Sequence, residues 1–179
     1  MEVRPEVRAD EQAIALVHRL AFAGEAEAGL VATLRAGETY LPELSLVALR
    51  GGEVAGHVLV TVVELVPGGD EAGPACAVLA LAPLAVHPDA QGHGVGRGLV
   101  EAALRRAAVR SEPLVVVVGD PGYYVRFGFV PASDLGVSAP CALAEDTLQV
   151  RRLPAFRSAP AGMIRYPPAF CALSQPASD

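Results

Sequence analysis

The sequence predicts an α+β protein in which helices flank a mixed β-sheet. Strand-like alternation near the N-terminus and a hairpin pattern around Gly51-Gly52 place antiparallel strands early in the chain. Ala77–Val86 and Leu114–Val118 are almost wholly apolar, which is typical of strands that are covered on both faces. A helical pattern lies between these two strands, and a strand–helix–strand order makes them parallel. Antiparallel strands followed by one parallel crossover predict a layered α+β sheet rather than a doubly wound one.

Each element is predicted from apolar periodicity and from the residues that bound it. Asp10 is placed to cap the first helix, because its carboxylate can accept unpaired N–H groups of the first turn. The predicted elements are strand Glu2–Val7, a helix after Asp10, helix Glu25–Arg35, strands Leu44–Arg50 and Val54–Leu65, loop Pro67–Pro74, strand Ala77–Val86, helix Gly94–Arg110, strand Leu114–Val118, helical turn Pro121–Arg126, a strand beginning at Gly128–Pro131, and an irregular tail containing Pro154, Pro160, Pro167 and Pro168.

The length of 179 residues predicts one domain over residues 1–170, followed by a tail at 171–179 that we expect to be disordered. Although 52% of the residues are hydrophobic, the longest apolar run is Ala77–Val86, which contains Pro83. A membrane-spanning helix needs about 20 apolar residues. The N-terminus also lacks the pattern of a signal peptide. We therefore expect a soluble, cytoplasmic protein that does not bind membranes.

Charge and cysteine content exclude several kinds of chemistry. The net charge is −6, and all 14 basic residues are arginines. Without lysine there is no Walker-type phosphate lysine and no Schiff base, and an acidic chain argues against nucleic-acid binding. Cys76, Cys141 and Cys171 are far apart and lack zinc-ligand spacing, so we expect free thiols and no metal site.

The most informative segment is Ala85–Gly98, with the sequence AVHPDAQGHGVGRG. A buried strand ends at Val86, and glycines at 92, 94, 96 and 98 lead into a helix. Alternating glycines let the main chain approach a ligand closely. The first turn of the helix presents unpaired N–H groups and the positive end of the helix dipole, which together suit a pyrophosphate.

Other interpretations of this segment remain open. A dinucleotide-binding loop is one, because Asp120 follows the next strand roughly where a ribose-binding acid would lie. That motif, however, needs its first glycine directly after the strand, and here His87–Gln91 intervene. Arg97 could add positive charge to the anion site, or it could be a surface residue paired with Glu101.

At these residues the sequence resembles the GNAT superfamily of N-acetyltransferases. Gln91–Gly96 matches the family signature (Q/R)xxGx(G/A), and it follows a strand ending in Val-His-Pro, as is usual in the family. The resemblance implies a GNAT (acyl-CoA N-acyltransferase) fold over residues 1–170, with a centrally splayed sheet. It also implies that one strand pairs its main chain with the pantetheine arm of acetyl-CoA, and that the following loop holds the pyrophosphate. The implied cofactor-binding residues are Leu84, Ala85 and Val86 on the strand and Gln91, Gly92, His93, Gly94, Val95, Gly96 and Arg97 in the loop.

Two further segments support the resemblance. Pro83 lies inside the cofactor strand, where proline is tolerated mainly at breaks in pairing. Asp120–Phe129 resembles a family segment whose tyrosine serves as general acid toward the departing thiolate, and Tyr124 occupies that position. Alternatively, Tyr124 only anchors a short helix on the sheet. Asp120 replaces the asparagine that is usual in the family, and Arg165–Phe170 is similar to the C-terminal part of a bacterial subgroup of predicted acetyltransferases.

The sequence identifies no strong general base. Many GNAT enzymes use a carboxylate on the cofactor strand, which here is entirely apolar. Glu64, late in the preceding strand, is the candidate, although it can equally be a solvated residue at a strand end. We treat His87 and His93 as non-catalytic, and nothing singles out His18 or His57.

The resulting hypothesis is an N-acetyltransferase that moves an acetyl group from acetyl-CoA to a primary amine of a small molecule or peptide, by direct transfer in a ternary complex. One alternative is a non-catalytic acyl-CoA-binding regulatory module on the same fold. Another is a dinucleotide-binding enzyme. The sequence leaves a homodimer open and does not identify the acceptor.

Overall fold

The computed structural model describes residues 1–68, 73–140, 147–158 and 161–171, and in these residues the chain forms nine strands and five α-helices. The strands are β1 (Glu2–Pro5), β2 (Tyr40–Arg50), β3 (Glu53–Pro67), β4 (Cys76–Val86), β5 (Leu114–Val118), β6 (Val130–Pro131), β7 (Val137–Ser138), β8 (Leu148–Arg152) and β9 (Gly162–Arg165). The helices are α1 (Glu11–Phe22), α2 (Ala26–Arg35), α3 (Val95–Ala107), α4 (Pro121–Tyr124) and α5 (Pro168–Cys171).

The strands form one mixed sheet, as predicted. Its main path is β1-β2-β3-β4-β5-β8-β6, and β9 pairs with β3 and with β7. The first three strands are antiparallel neighbours, whereas β4 and β5 are parallel, with Leu79–Leu81 opposite Val115–Val117. A second parallel pair, β7 with β9, was not predicted.

The chain divides into two compact units. The first contains Met1–Thr61 and Ala82–Arg106, and the second contains Val62–Leu81 and the chain from Ala107 onward. The passages between the units fall inside β3, inside β4 and inside α3, so each interrupts a regular element rather than a loop.

In the first unit, β3 carries helices on both faces. A Cβ added to Gly56 would lie 2.9 Å from Val95 Cγ1 and 3.0 Å from Leu99 Cδ1, so this glycine lets α3 pack closely on the strand. The next residue, His57, points to the opposite face, because side chains alternate along a strand, and there it contacts His18 of α1.

In the second unit, β5 pairs in full with β8. Leu114–Val118 lies antiparallel to Leu148–Arg152, and Glu64–Pro67 of β3 pairs with β9. The core of this unit consists of Val63, Leu65, Val78, Ala80, Leu114, Val116, Ala132, Val137, Leu148, Val150 and Ile164.

Two predictions about local structure are wrong. The Asp10 carboxylate does not cap α1; instead it accepts hydrogen bonds from the Arg4 guanidinium (2.7 Å) and the Val7 N–H (2.8 Å). The region after Pro154 is not wholly irregular, because β9 and α5 form there. In addition, β7 and β8 were not predicted, and α3 ends at Ala107 rather than Arg110. Residues 69–72 of the predicted loop, Cys141 and the predicted disordered tail from residue 172 lie outside the described residues.

Candidate active site

The glycine loop connects β4 to α3 through a short 3-10 turn at Pro88–Ala90. Gly92 and Gly94 have φ angles of 74° and 79°, in the left-handed region that residues with a side chain rarely adopt. The first helical hydrogen bond of α3 runs from Gly98 N to Gly94 O (2.9 Å). The N–H groups just before Gly98 therefore have no acceptor within the helix, as expected for a first turn. This arrangement is suited to an anionic ligand.

The polar side chains of the loop and the first turn of α3 form hydrogen bonds or ion pairs with residues close to them in the sequence. Gln91 Nε2 donates to Val86 O (3.1 Å), which ties the loop to the end of β4. His93 Nδ1 lies 2.8 Å from Gln91 O. Arg97 is paired with Glu101 (2.7 Å) and its side chain is 68% exposed, which favours the surface interpretation of this residue over a charge directed at a ligand.

The predicted cofactor strand forms the last part of β4. Its Ala85 is buried, while Leu84 and Val86 are half-buried. His87, directly after β4, donates its N–H to Ala55 O of β3 (2.9 Å). The parallel register with β5 ends at Leu81, and Pro83 lies two residues further along β4. This agrees with the expectation that proline marks a break in pairing.

Tyr124 is the last residue of α4, in the second unit. Asp120 caps this helix, since its Oδ1 accepts the Gly122 N–H (2.9 Å). The Tyr124 ring is only 7% exposed and lies edge-to-face against Tyr123 and Phe129, with centroid distances of 5.0 and 5.6 Å. The predicted role as an aromatic anchor is thus fulfilled, and it does not conflict with a chemical role for the hydroxyl.

The Tyr124 hydroxyl has no hydrogen-bond partner among the described residues, and it is not one of the fully buried side-chain atoms that lack a partner. It therefore keeps contact with solvent while its ring is held. Burial raises the pKa of Tyr124 well above 10, with a smaller contribution from Tyr123. The phenol consequently carries its proton throughout the neutral range.

Glu64, the candidate base, forms an ion pair with Arg165, which lies opposite it on β9. Arg165 Nε donates to Glu64 Oε2 at 2.7 Å, and both side chains are about half exposed or more. The exposed position of the Glu64 carboxylate and its pairing with Arg165 favour the interpretation of Glu64 as a surface residue at a strand end.

The first unit contains a buried polar network that was not predicted from the sequence. His18 Nε2 lies 2.9 Å from His57 Nδ1, and His57 Nε2 lies 3.0 Å from Glu6 Oε2; both histidines are 0% exposed. Glu6 also accepts hydrogen bonds from Arg35 and from the Tyr40 hydroxyl (2.8 Å). The network thus joins the residue directly after β1 to α1, α2, β2 and β3.

The charges of this network follow from its contacts. Burial alone raises the pKa of Glu6, but the hydrogen bonds from His57, Arg35 and Tyr40 outweigh burial and hold it far below its ordinary value. Burial lowers the pKa of His57, and burial together with His57 lowers that of His18 to about 3. The ionised Glu6 therefore accepts the His57 Nε2–H, His57 Nδ1 accepts the His18 Nε2–H, and His18 Nδ1 is left buried without a partner among the described residues.

Among the described residues, no group of three or more histidine, cysteine, aspartate or glutamate side chains could hold a metal ion, and no helix is long and apolar enough to cross a membrane. Cys76 is a free thiol.

Strand β4, the turn with left-handed Gly92 and Gly94, and the open first turn of α3 form an arrangement suited to the pyrophosphate of a cofactor. The family model described as "Acetyltransferase (GNAT) domain" matches residues 42–131, and the chain belongs to this family of acetyl-CoA-dependent N-acetyltransferases. The predicted GNAT fold and the predicted donor, acetyl-CoA, are confirmed.

Relatives support this from sequence and from structure. The chain is 37% identical over 140 residues to the uncharacterized N-acetyltransferase YjhQ of Escherichia coli K12, covering 78% of this chain and 75% of that protein. It is 35% identical over 154 residues to the uncharacterized N-acetyltransferase YhbS of the same strain, covering 86% and 87%.

Two solved structures share the fold. The crystal structure of YhbS from Escherichia coli in complex with CoA matches with a TM-score of 0.84 at 31% identity, covering 95% of this chain and 91% of that one. A GNAT acetyltransferase from Brucella melitensis in complex with acetyl-CoA matches with a TM-score of 0.75 at 28% identity, covering 94% and 97%.

Proposed function

We propose that this protein transfers the acetyl group of acetyl-CoA to a primary amine of a small molecule or peptide, by direct attack in a ternary complex. The observation that carries the proposal is the turn at Gly92 and Gly94, which opens into the unpaired N–H groups of α3 in a member of the GNAT family. We further propose a cytoplasmic location and a single GNAT domain over residues 1–170. That the protein forms a homodimer remains a possibility left open by the sequence.

The cofactor contacts in this proposal are made mainly by main-chain atoms. The strand end pairs with the pantetheine arm by strand addition, and the loop N–H groups hold the pyrophosphate. The exposed, Glu101-paired Arg97 contributes its N–H rather than its guanidinium. The residues concerned are Leu84, Ala85 and Val86 on β4 and Gln91, Gly92, His93, Gly94, Val95, Gly96 and Arg97 in the loop and the first turn.

In the proposed acetyl transfer, Tyr124 is the one side chain that takes part in the reaction. The amine nitrogen attacks the thioester carbonyl, a main-chain N–H stabilises the oxyanion, and the C–S bond breaks as the thiolate receives a hydrogen bond and then a proton from Tyr124. Burial raises the pKa of Tyr124, which keeps the phenol protonated at neutral pH but also makes it a weaker acid, so Tyr124 assists the thiolate first as a hydrogen-bond donor. The proton of the amine leaves through water, since Glu64 is held by Arg165.

The test is turnover of Tyr124→Phe, measured as release of free CoA thiol with benzylamine, spermidine, lysine methyl ester and an alanine-initiated tripeptide. We expect turnover to fall about 10²-fold, which is typical of a lost proton donor, while acetyl-CoA affinity stays within about twofold. Tyr123→Phe is the matched control and should retain turnover. A fully active Tyr124→Phe variant, where chemistry limits the rate, would contradict the general-acid role.

The same panel tests the alternative of a non-catalytic acyl-CoA-binding module, which the pairing of Glu64 with Arg165 keeps open. That alternative expects tight binding of acetyl-CoA and no thiol release above the spontaneous rate with any of the four amines.

A further inference from the structure

The segment that carries Tyr124 begins at Gly119, directly after β5. A Cβ added to Gly119 would lie 2.6 Å from Tyr124 Cε2, so the ring rests on the main chain of this glycine. Any movement of the Gly119 main chain therefore moves the surface on which the Tyr124 ring packs.

Strand β8 and the residue before it fix Gly119 from two sides. The Gly119 N–H donates to Thr147 O at 3.0 Å, and its carbonyl accepts a hydrogen bond from Gln149 Nε2 at 3.1 Å. Gln149 is only 2% exposed. Burying an amide is unfavourable unless it is hydrogen-bonded, so the bond to Gly119 is what stabilises a glutamine at this core position.

The other end of the segment is held by the same strand. Arg151 Nη1 donates to the carbonyl of Phe127 at 2.6 Å. The Phe127 ring packs against that of Tyr124, with centroids 6.4 Å apart. Because Gln149 and Arg151 are two residues apart on a strand, their side chains leave β8 on the same face.

We propose that Gln149 and Arg151 are positioning residues that hold both ends of the segment 119–127 and thereby fix the hydroxyl of Tyr124. This inference rests on the proposed function, because it gives the two residues a role in turnover through Tyr124. Neither side chain touches acetyl-CoA or the amine in this proposal.

The first arm of the test is independent of activity. Gln149→Met keeps the length of the side chain and removes the donor, and Arg151→Met removes the donor at the other end while keeping an unbranched apolar stem. Arg152→Met is the matched control, because Arg152 is exposed and lies over the Phe156 ring instead. The chain has four tyrosines, so their ring carbon signals are separable by NMR. We expect the Tyr124 signals to shift in both variants and not in Arg152→Met.

The second arm is turnover with the most reactive amine of the panel. We expect Gln149→Met and Arg151→Met to lower kcat about tenfold or more, since small displacements of a reacting group are costly, with acetyl-CoA affinity unchanged. Arg151→Lys retains a donor and should restore most of the turnover. In a Tyr124→Phe background the same substitutions should have almost no further effect, because coupled residues are not additive.

Unmoved Tyr124 signals in folded Gln149→Met and Arg151→Met would overturn the inference, as would equal losses of kcat with and without the Tyr124 hydroxyl. Should Gln149→Met fail to fold, Arg151→Met decides both arms. Shifted Tyr124 signals combined with a fully active Tyr124→Phe variant would instead remove the proposed general acid and leave the positioning intact.

Discussion

His18 and His57 show how a buried network ties stability to pH. Both are neutral in the folded chain, with the pKa of His18 lowered to about 3. In the unfolded chain a histidine titrates near 6.5, so below that pH the unfolded state binds more protons. Glu6, whose folded pKa is also lowered, acts in the same direction below its unfolded value of 4.5. The contribution of this network to the free energy of unfolding is therefore fully present above about pH 6.5, and it is lost as the pH falls toward 3.

We expect the free energy of unfolding to fall by about 1.4 kcal/mol per pH unit for each such group. Urea denaturation between about pH 4 and pH 8 measures this slope. In His18→Gln the slope should be smaller, because glutamine keeps the N–H donated to His57 but cannot be protonated. His93→Gln, on the exposed loop, should keep the wild-type slope, and an unchanged slope in His18→Gln would contradict the assignment.

Some residues of the candidate site and of the buried network were visible in the sequence, and others were not, for a physical reason. Gly92, Gly94 and Tyr124 lie in continuous segments whose spacing is visible in the chain. The partners in the buried network are distant, since His18 and His57 are 39 positions apart and Glu6 and His57 are 51 apart. The bond from Gln149 to Gly119 spans 30 positions. No local pattern marks such pairs.

The glycine loop contains residues in the left-handed backbone conformation, which favours glycine. Gly94 has a φ of 79°, which disfavours any residue with a Cβ by about 1 kcal/mol or more. We expect Gly94→Ala to distort the entry to α3 and to lower acetyl-CoA affinity at least severalfold, as measured by calorimetry. The strain, rather than a steric clash, is the cause, because an added Cβ would meet no atom within 4 Å.

Gly29→Ala is the matched control for that substitution. Gly29 lies inside α2, where an added Cβ also meets nothing within 4 Å and φ is ordinary. Alanine is favoured over glycine in a helix by about 0.5–1 kcal/mol, so this variant should be more stable and bind acetyl-CoA normally. Equal affinities in the two variants would show that the left-handed turn does not shape the cofactor site.

Helices and strands with strong local signals in the sequence were predicted more accurately than those without. The turn at Gly51-Gly52 and strand β5 were predicted nearly to the residue, because turn glycines and an apolar run bound them, whereas β2 begins four residues earlier and β3 ends two residues later than predicted. β9 has only four residues and lies among prolines, and its strand geometry comes from pairing with β3. A strand that is stabilised mainly by pairing with residues distant in the sequence has only a weak strand pattern of its own.

For the whole molecule, ligand binding should appear as a change in stability. A ligand that binds only the folded chain adds about 2.7 kcal/mol at 100 times its dissociation constant. We expect thermal unfolding to shift upward with acetyl-CoA and with CoA, and not with NAD(H) or ATP. A shift with NAD(H) alone would favour the dinucleotide-binding alternative for the glycine loop.

The passages of the chain between the two units lie inside β3, β4 and α3, so neither unit is a continuous stretch of sequence. This limits how the protein can exchange parts with its relatives. A single recombination event exchanges one end of a gene at one breakpoint, and here no single breakpoint separates one whole unit from the other. A chimaera that transplants the unit bearing Tyr124 must carry residues 62–81 and everything from residue 107 together, with each junction placed in a hydrogen-bonded element.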